Sequence, residues 1–288
     1  MLQNNLARLL IFAPVLIYCA QLGPDLDIVK KEEIRRTLQF KNPNAAKHVL
    51  VDNVSGSIRV VGDNIRDVQL VVHKTLRATS ERKLQEAREQ VVLDIAEEED
   101  AVKLYVDGPF RRSNGEVNYR GWRYYGYEVN WDFELRVPRE ASLYLRTIND
   151  GEIEVKNVAG DFDIKNVNGG VSLSEVAGAG SVYALNGGVK VLFQQNPKAE
   201  SYFGSLNGDV EIIFREGLAA DAGFKTFNGE IYTDFEVTYL ANKPPTSKRK
   251  HGRYIYKSDE FSRVRIGSGG PQLTFDAFNG DIRMLKRE

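Results

Sequence analysis

Glycine recurs every nine residues at positions 151, 160, 169, 178 and 187, and no other feature of the 288-residue chain restricts its fold as tightly. Each copy reads apolar, small or Asn, Gly, any, apolar, any, apolar: VAGDFDI from Val158, VNGGVSL from Val167, VAGAGSV from Val176 and LNGGVKV from Leu185. Asn-type and Ala-type copies alternate, so the true period there is eighteen. LNGDVEI and FNGEIYT follow with Gly208 and Gly229 twenty-one apart, and FNGDIRM carries Gly280 after a long insertion. An early copy, VSGSIRV, holds Gly56, and INDGEIEV has one extra residue before Gly151.

After each glycine, apolar residues two and four places on, such as Ile153 and Val155 or Val210 and Ile212, alternate with polar ones. That is the signature of a strand with one buried face. Glu154, Lys190, Glu211 and Arg283 are then expected to face water. The nine glycines Gly56, Gly151, Gly160, Gly169, Gly178, Gly187, Gly208, Gly229 and Gly280 are expected at corners, where positive φ is free of steric cost. If coils stack, Asn168, Asn186, Asn207, Asn228 and Asn279 would bond to one another in a ladder.

Two architectures compete. Asn-Gly between alternating strands is also a β-hairpin signal, which would make the repeat a meander with upper and lower turns. Three features favour an all-β, single-chain β-solenoid (β-helix) of 18–21-residue coils: the apolar residue before each corner, the retained phase when the period lengthens by three, and the coil length itself. Five or six coils would make a rod on the order of 25–30 Å long.

The flanks divide the chain further. Residues 21–46 read as a polar leader, a short membrane-proximal helix or a flexible tether. Residues 47–138 predict strands at 47–52, 57–61, 68–75, 91–96 and 101–106. A helix is expected over 80–90, capped by Ser80 with Leu84 and Ala87 inward. Together these form an N-terminal α+β capping region ahead of the repeats at 139–288, because an open stack end presents unpaired backbone. Two insertions stand out. Residues 108–131 crowd Phe110, Tyr119, Trp122, Tyr124, Tyr125, Tyr127 and Trp131 among Arg111, Arg112, Arg120 and Arg123. Aromatic faces beside guanidiniums suit a ligand, and Trp122, Arg123, Tyr124, Tyr125 and Tyr127 are the candidate binding residues; the other reading is an aromatic hairpin that fills a cap. Residues 242–258 hold KPPTSKRKHGR, a basic loop.

Arg8 precedes an apolar run from Leu9 to Ala20, the length of a signal-peptide core and too short to span a bilayer. Export to the periplasm or cell surface is expected, with membrane tethering through this segment, or acylation of the single cysteine, Cys19, as the other fates of residues 1–20. Without Cys19 the chain has no thiol, so packing rather than disulfides must hold it. Thirty-nine basic against forty acidic residues give a net charge of −1, which excludes the broad positive field that nucleic acid attracts.

Catalytic patterns are lacking. His48, His73 and His251 have no metal-ligand spacing, and no nucleophile elbow, phosphate loop or dinucleotide fingerprint occurs. No metal and no cofactor is expected. The alternative is a carbohydrate-active β-helix enzyme, a lyase or hydrolase, using outward carboxylates from among Asp161, Asp163, Asp209, Glu211, Asp234 and Asp281.

The stretch FELRVPREASLYLRTINDGEIEV from Phe133, the serial Asn-Gly motifs and the ending IGSGGPQLTFDAFNGDIRML from Ile266 resemble the bacterial "putative adhesin" family of β-strand-repeat envelope proteins, a domain family of unknown function. The likeness runs from His48 to Leu285. It implies an extracytoplasmic β-solenoid with no established catalytic residues. The expected role is a non-enzymatic binding, adhesion or scaffolding surface, with an envelope protein or a cell-surface or cell-wall glycan as partner.

Overall fold

A computed structural model describes residues 25–241, 246–250, 253–257 and 261–287, without the side chains of Trp122 or of 246–257. The expected signal segment with Cys19 lies outside the described residues, as does part of the basic run at 242–258. In chain order the elements are β1 (Ile28–Leu38), β2 (His48–Asp52), β3 (Ile58–Asp63), β4 (Val68–Ala78), α1 (Glu81–Gln90), β5 (Val92–Glu97), β6 (Ala101–Asp107), α2 (Trp122–Tyr125), β7 (Tyr127–Pro138), β8 (Ser142–Thr147) and β9 (Ile153–Lys156). There follow β10 (Phe162–Asn168), β11 (Val171–Val176), β12 (Gly180–Asn186), β13 (Val189–Phe193), β14 (Ser201–Asn207), β15 (Val210–Phe214), β16 (Ala220–Asn228) and β17 (Ile231–Thr233). The last are β18 (Val237–Tyr239), β19 (Thr246–Lys250), β20 (Arg253–Lys257), β21 (Ser262–Ile266), β22 (Gln272–Asn279) and β23 (Ile282–Lys286).

The protein is all-β, with two large, mostly parallel sheets. One runs β1-β4-β7-β3-β9-β11-β13-β15-β23-β17, the other β18-β21-β16-β22-β14-β12-β10-β8-β2-β6-β5. From β8 to β15 consecutive strands alternate between sheets and none pairs with its chain neighbour; each pairs in parallel with the strand one repeat away, Ile164 with Leu145 and Val182, for example. This pairing rules out a meander. Asn-type corners lead from the second sheet to the first, and Ala-type corners lead back.

Parallel order extends beyond the regular repeats in both directions. β2 and β3 pair in parallel with β8 and β9, and β6 and β7 pair in parallel with β2 and β3. Eight layers result, in the order β6/β7, β2/β3, β8/β9, β10/β11, β12/β13, β14/β15, β22/β23, β16/β17. The layers begin at His48 rather than at 139, and their order is not the order of the chain. The repeat that carries Gly280, although it follows a long insertion, lies inside the stack between β14/β15 and β16/β17.

Antiparallel strands finish the ends. β4 pairs with β7, β1 with β4, and β5 with β6 at one end; β21 with β16 and β18 with β21 at the other. Residues 28–38, read from sequence as part of a helix or tether, form an eleven-residue edge strand. Its composition, IVKKEEIRRTL, explains both roles: alternate Ile28, Ile34 and Leu38 pack or half-pack, and the charges blunt an otherwise open edge. Helix α1 has Ser80 as its cap, accepting from the Lys83 N–H, and buries Leu84 and Ala87. Residues 246–257, expected as a loop, hold the separate two-stranded sheet of β19 and β20.

The interior is aliphatic near β3, β8 and β9 and aromatic toward β15 and β22. Phe193 stacks on Phe214 at 5.2 Å and Phe224 on Phe275 at 4.9 Å, with Phe203 5.6 Å from Phe275. These rings are all buried, and ring stacking adds to the large area they remove from water.

Candidate ligand-binding site

The repeat corners set the frame for everything outside the core. Most corner glycines do not need positive φ; among the nine it occurs at Gly56 (+116°) and, near the extended limit, at Gly208 (+158°). The reason for glycine is instead close backbone approach. A Cβ on Gly187 would stand 2.5 Å from the Gly169 carbonyl carbon, and the same overlap links Gly169 to Gly151, Gly151 to Gly56, Gly208 to Gly187, Gly280 to Gly208 and Gly229 to Gly280. Gly160 and Gly178 meet the backbone of Ala141 and Gly160 in the same way at the opposite corner. The left-handed turns fall on Asp150 (φ 55°), Asn157 (58°) and Glu175 (55°), and Asp150 is the extra residue of the INDG copy.

Beside the glycines runs an amide ladder. Asn168 donates to Asn149 (3.0 Å), Asn186 to Asn168 (2.9 Å), Asn207 to Asn186 (2.8 Å), Asn279 to Asn207 (2.8 Å) and Asn228 to Asn279 (2.7 Å). Asn149 joins the five expected residues. Two places before Asn149, Asn168 and Asn207, the buried Thr147, Asn166 and Ser205 donate to the corner carbonyls of Gly56, Gly151 and Gly187, which pairs those enclosed carbonyl oxygens.

Five of the six outward carboxylates considered for catalysis are engaged between layers, and the sixth, Asp163, lies 3.6–3.7 Å from Arg146 and Lys165. Asp209 accepts from the Asp281 N–H (2.9 Å) and Arg283 (2.7 Å); Asp281 accepts from the Glu230 N–H (3.0 Å) and Arg283 (2.6 Å). Asp161 accepts from the Ala179 N–H, Asp234 from the Lys286 N–H, and Glu211 pairs with Lys190 at 2.8 Å. The Arg283 guanidinium, aided by the Asp281 N–H, holds the Asp209 carboxyl below its usual range. Glu211, expected fully in water, is half-buried between Lys190 and Arg283 in the register.

The aromatic insertion divides into a buried and an exposed part. Tyr127 and Trp131 belong to the core strand β7 and are buried. The Tyr127 hydroxyl donates to Gln90 of α1 (2.8 Å), and Tyr125, also buried, stacks on Tyr119 at 5.8 Å, which meets Phe110 edge-on at 6.0 Å. Burial pushes the Tyr119 and Tyr127 hydroxyls up to about 12. Of the five candidate residues, Tyr125 and Tyr127 are therefore turned into this cap. Tyr124 stays 63% exposed with Arg120 4.9 Å above its ring, Arg123 lies in the last turn of α2, and the Trp122 side chain is outside the described residues. Trp131 meets the buried Lys74, whose ammonium lies 4.4 Å from the ring and donates to the Val91 carbonyl at 3.1 Å; burial lowers the Lys74 pKa.

Where the insertion leans on the second sheet it encloses a cleft of about 480 Å³. Arg111 pins it: its side chain is 4% exposed, donating to Asp52 Oδ1 (2.8 Å) and the Val106 carbonyl (2.9 Å). Val117, Ile148 and Val167 line the cleft together with Asn118, Arg112, Arg146 and Lys165. Arg146 and Lys165 are half exposed and share one carboxylate, Asp163, at 3.6 and 3.7 Å. Sequence reading found the insertion but missed this wall, because Arg146, Lys165 and Val167 lie on outward strand positions that look like ordinary solvated surface.

Among the described residues no group of His, Cys, Asp and Glu is placed to hold a metal, and no helix is long and apolar enough to cross a membrane. No family model and no curated protein matches the chain. Among solved structures it resembles a "putative cell adhesion protein" from Clostridium sporogenes, with 11% identity, 90% of this chain and 100% of that one covered, and a TM-score of 0.41. It also resembles a "putative adhesin" from Bacteroides fragilis (9%, 92% and 99%, 0.30) and a "putative lipid binding protein" from Parabacteroides distasonis (11%, 90% and 97%, 0.29). These names repeat the resemblance drawn from the sequence, while the fold rests on the strand pairings themselves.

Proposed function

We propose that the chain is an exported envelope protein whose two sheets form a β-solenoid of 18–21-residue coils. It serves, without catalysis, as a binding or adhesion surface for a cell-surface glycan or another envelope protein. The observation that carries this reading is the use made of the outward carboxylates. Asp161, Asp209, Asp234 and Asp281 accept backbone N–H groups of the next layer, which fits a surface built to hold its shape rather than to move protons. β1 lies on the outermost edge of one end, so a leader preceding Asp25 would depart from there and leave the other end and the side walls free to meet a partner.

Retention on intact envelopes tests this directly. Purified chain should bind saturably to envelopes of the source cell and release no soluble sugar from them. Sugar release that disappears in Asp209→Asn or Asp281→Asn would instead assign the β-helix lyase or hydrolase reading, and absence of saturable binding would remove the adhesion reading.

A further inference from the structure

We infer that the cleft between residues 111–118 and the wall of β8 and β10 is a site for an acidic sugar, a ring bearing one carboxylate, carried on a glycan chain; this rests on the binding role proposed above. Charge is the first reason. Four cations line the cleft, Arg111, Arg112, Arg146 and Lys165, against two carboxylates, Asp52 and Glu116. Arg111 is consumed by Asp52 at 2.8 Å, and Arg112 reaches Glu116 at 3.4 Å. Among the described residues Arg146 and Lys165 have only Asp163 between them, at separations beyond the roughly 2.7–2.9 Å of a charge-assisted hydrogen bond. One positive charge is left over, and a ligand carboxylate would complete the set.

The remaining lining speaks for a sugar. Val117, Ile148 and Val167 offer an apolar floor to a ring's C–H face, and Asn118 adds a neutral amide for hydroxyls. The volume, about 480 Å³, is in the range of small-ligand sites. An acidic peptide is disfavoured by the backbone. Extended peptides gain affinity by pairing with a free strand edge, and β8 and β10 are both paired on both edges.

Calorimetric titration of the full chain with trigalacturonate, its methyl ester and pentaglutamate tests the site. Trigalacturonate is expected to bind, to weaken as salt rises, and to lose about tenfold or more in affinity in Arg146→Gln and in Lys165→Gln. Lys156→Gln, on the opposite sheet, should bind as the parent does, and all three variants should keep the parent melting midpoint. Equal binding of the methyl ester would remove the carboxylate from the inference. Tighter binding of pentaglutamate would assign a peptide, and unchanged binding in both cleft variants would place the ligand elsewhere. Failure of trigalacturonate with envelope retention intact overturns the cleft alone; loss of both overturns the adhesion reading with it.

Discussion

Adding one methyl group at Gly187 would set a carbon 2.5 Å from the carbonyl carbon of Gly169, in a place where both neighbours are backbone and cannot yield. Gly187→Ala is therefore expected to cost about 2–4 kcal/mol, read as a fall in the chemical-denaturation midpoint. Glu211→Gln, which weakens an ion pair to the largely exposed Lys190, should cost less than about 0.5 kcal/mol. Alanine is the informative substitution, since it separates close approach from positive φ; equal midpoints for the two variants would contradict the tight corner. Asp209 gives a pH test. Its carboxyl is held low, so its stabilising contribution is present above the unfolded carboxylate pKa near about 4 and disappears as pH falls through the lower folded value. Asp209→Asn should melt lower than the parent at pH 7 and converge with it on acidification. At this scale the sequence showed which residues make corners, and Asn168, Asn186, Asn207, Asn228 and Asn279 do form the amide ladder. It did not show why glycine is required, because the approach of one layer's backbone to the next is a distance between repeats and leaves no mark within one.

Elements were legible where alternation was strong. Strands at 48–52 and 101–107 and the helix at 81–90 match their expected places closely, since Ser80 caps and Leu84 and Ala87 share a face. β1 was missed: with six charges in eleven residues it carries too little apolar signal, and only the open edge of β4 makes it a strand. Deleting residues 25–38 should accordingly leave a folded protein that associates. Light scattering after size exclusion should show dimers or larger species, and a monomer would argue that β4 protects its own edge. The cleft was illegible for a related reason, as its two walls, 111–118 and 146–167, meet only in space.

For the molecule as a whole, layer order departs from chain order at both ends. β2/β3 lies between β6/β7 and β8/β9, and β22/β23 lies between β14/β15 and β16/β17. Seven spacings among eight layers give roughly 35 Å of parallel stack, longer than five or six coils would. Removing residues 270–288 should then damage far more than one layer: β16/β17 would lose its parallel partners, and hydrogen exchange should show the whole region beyond Phe214 unprotected. Protection retained at 220–228 in such a truncation would count against the interior placement. Because β22/β23 is made after β16/β17 yet lies between it and β14/β15, it acts as a keystone. A chain emerging from a ribosome can assemble up to β15, then must hold some fifty residues in waiting until β22 and β23 arrive and lock them in.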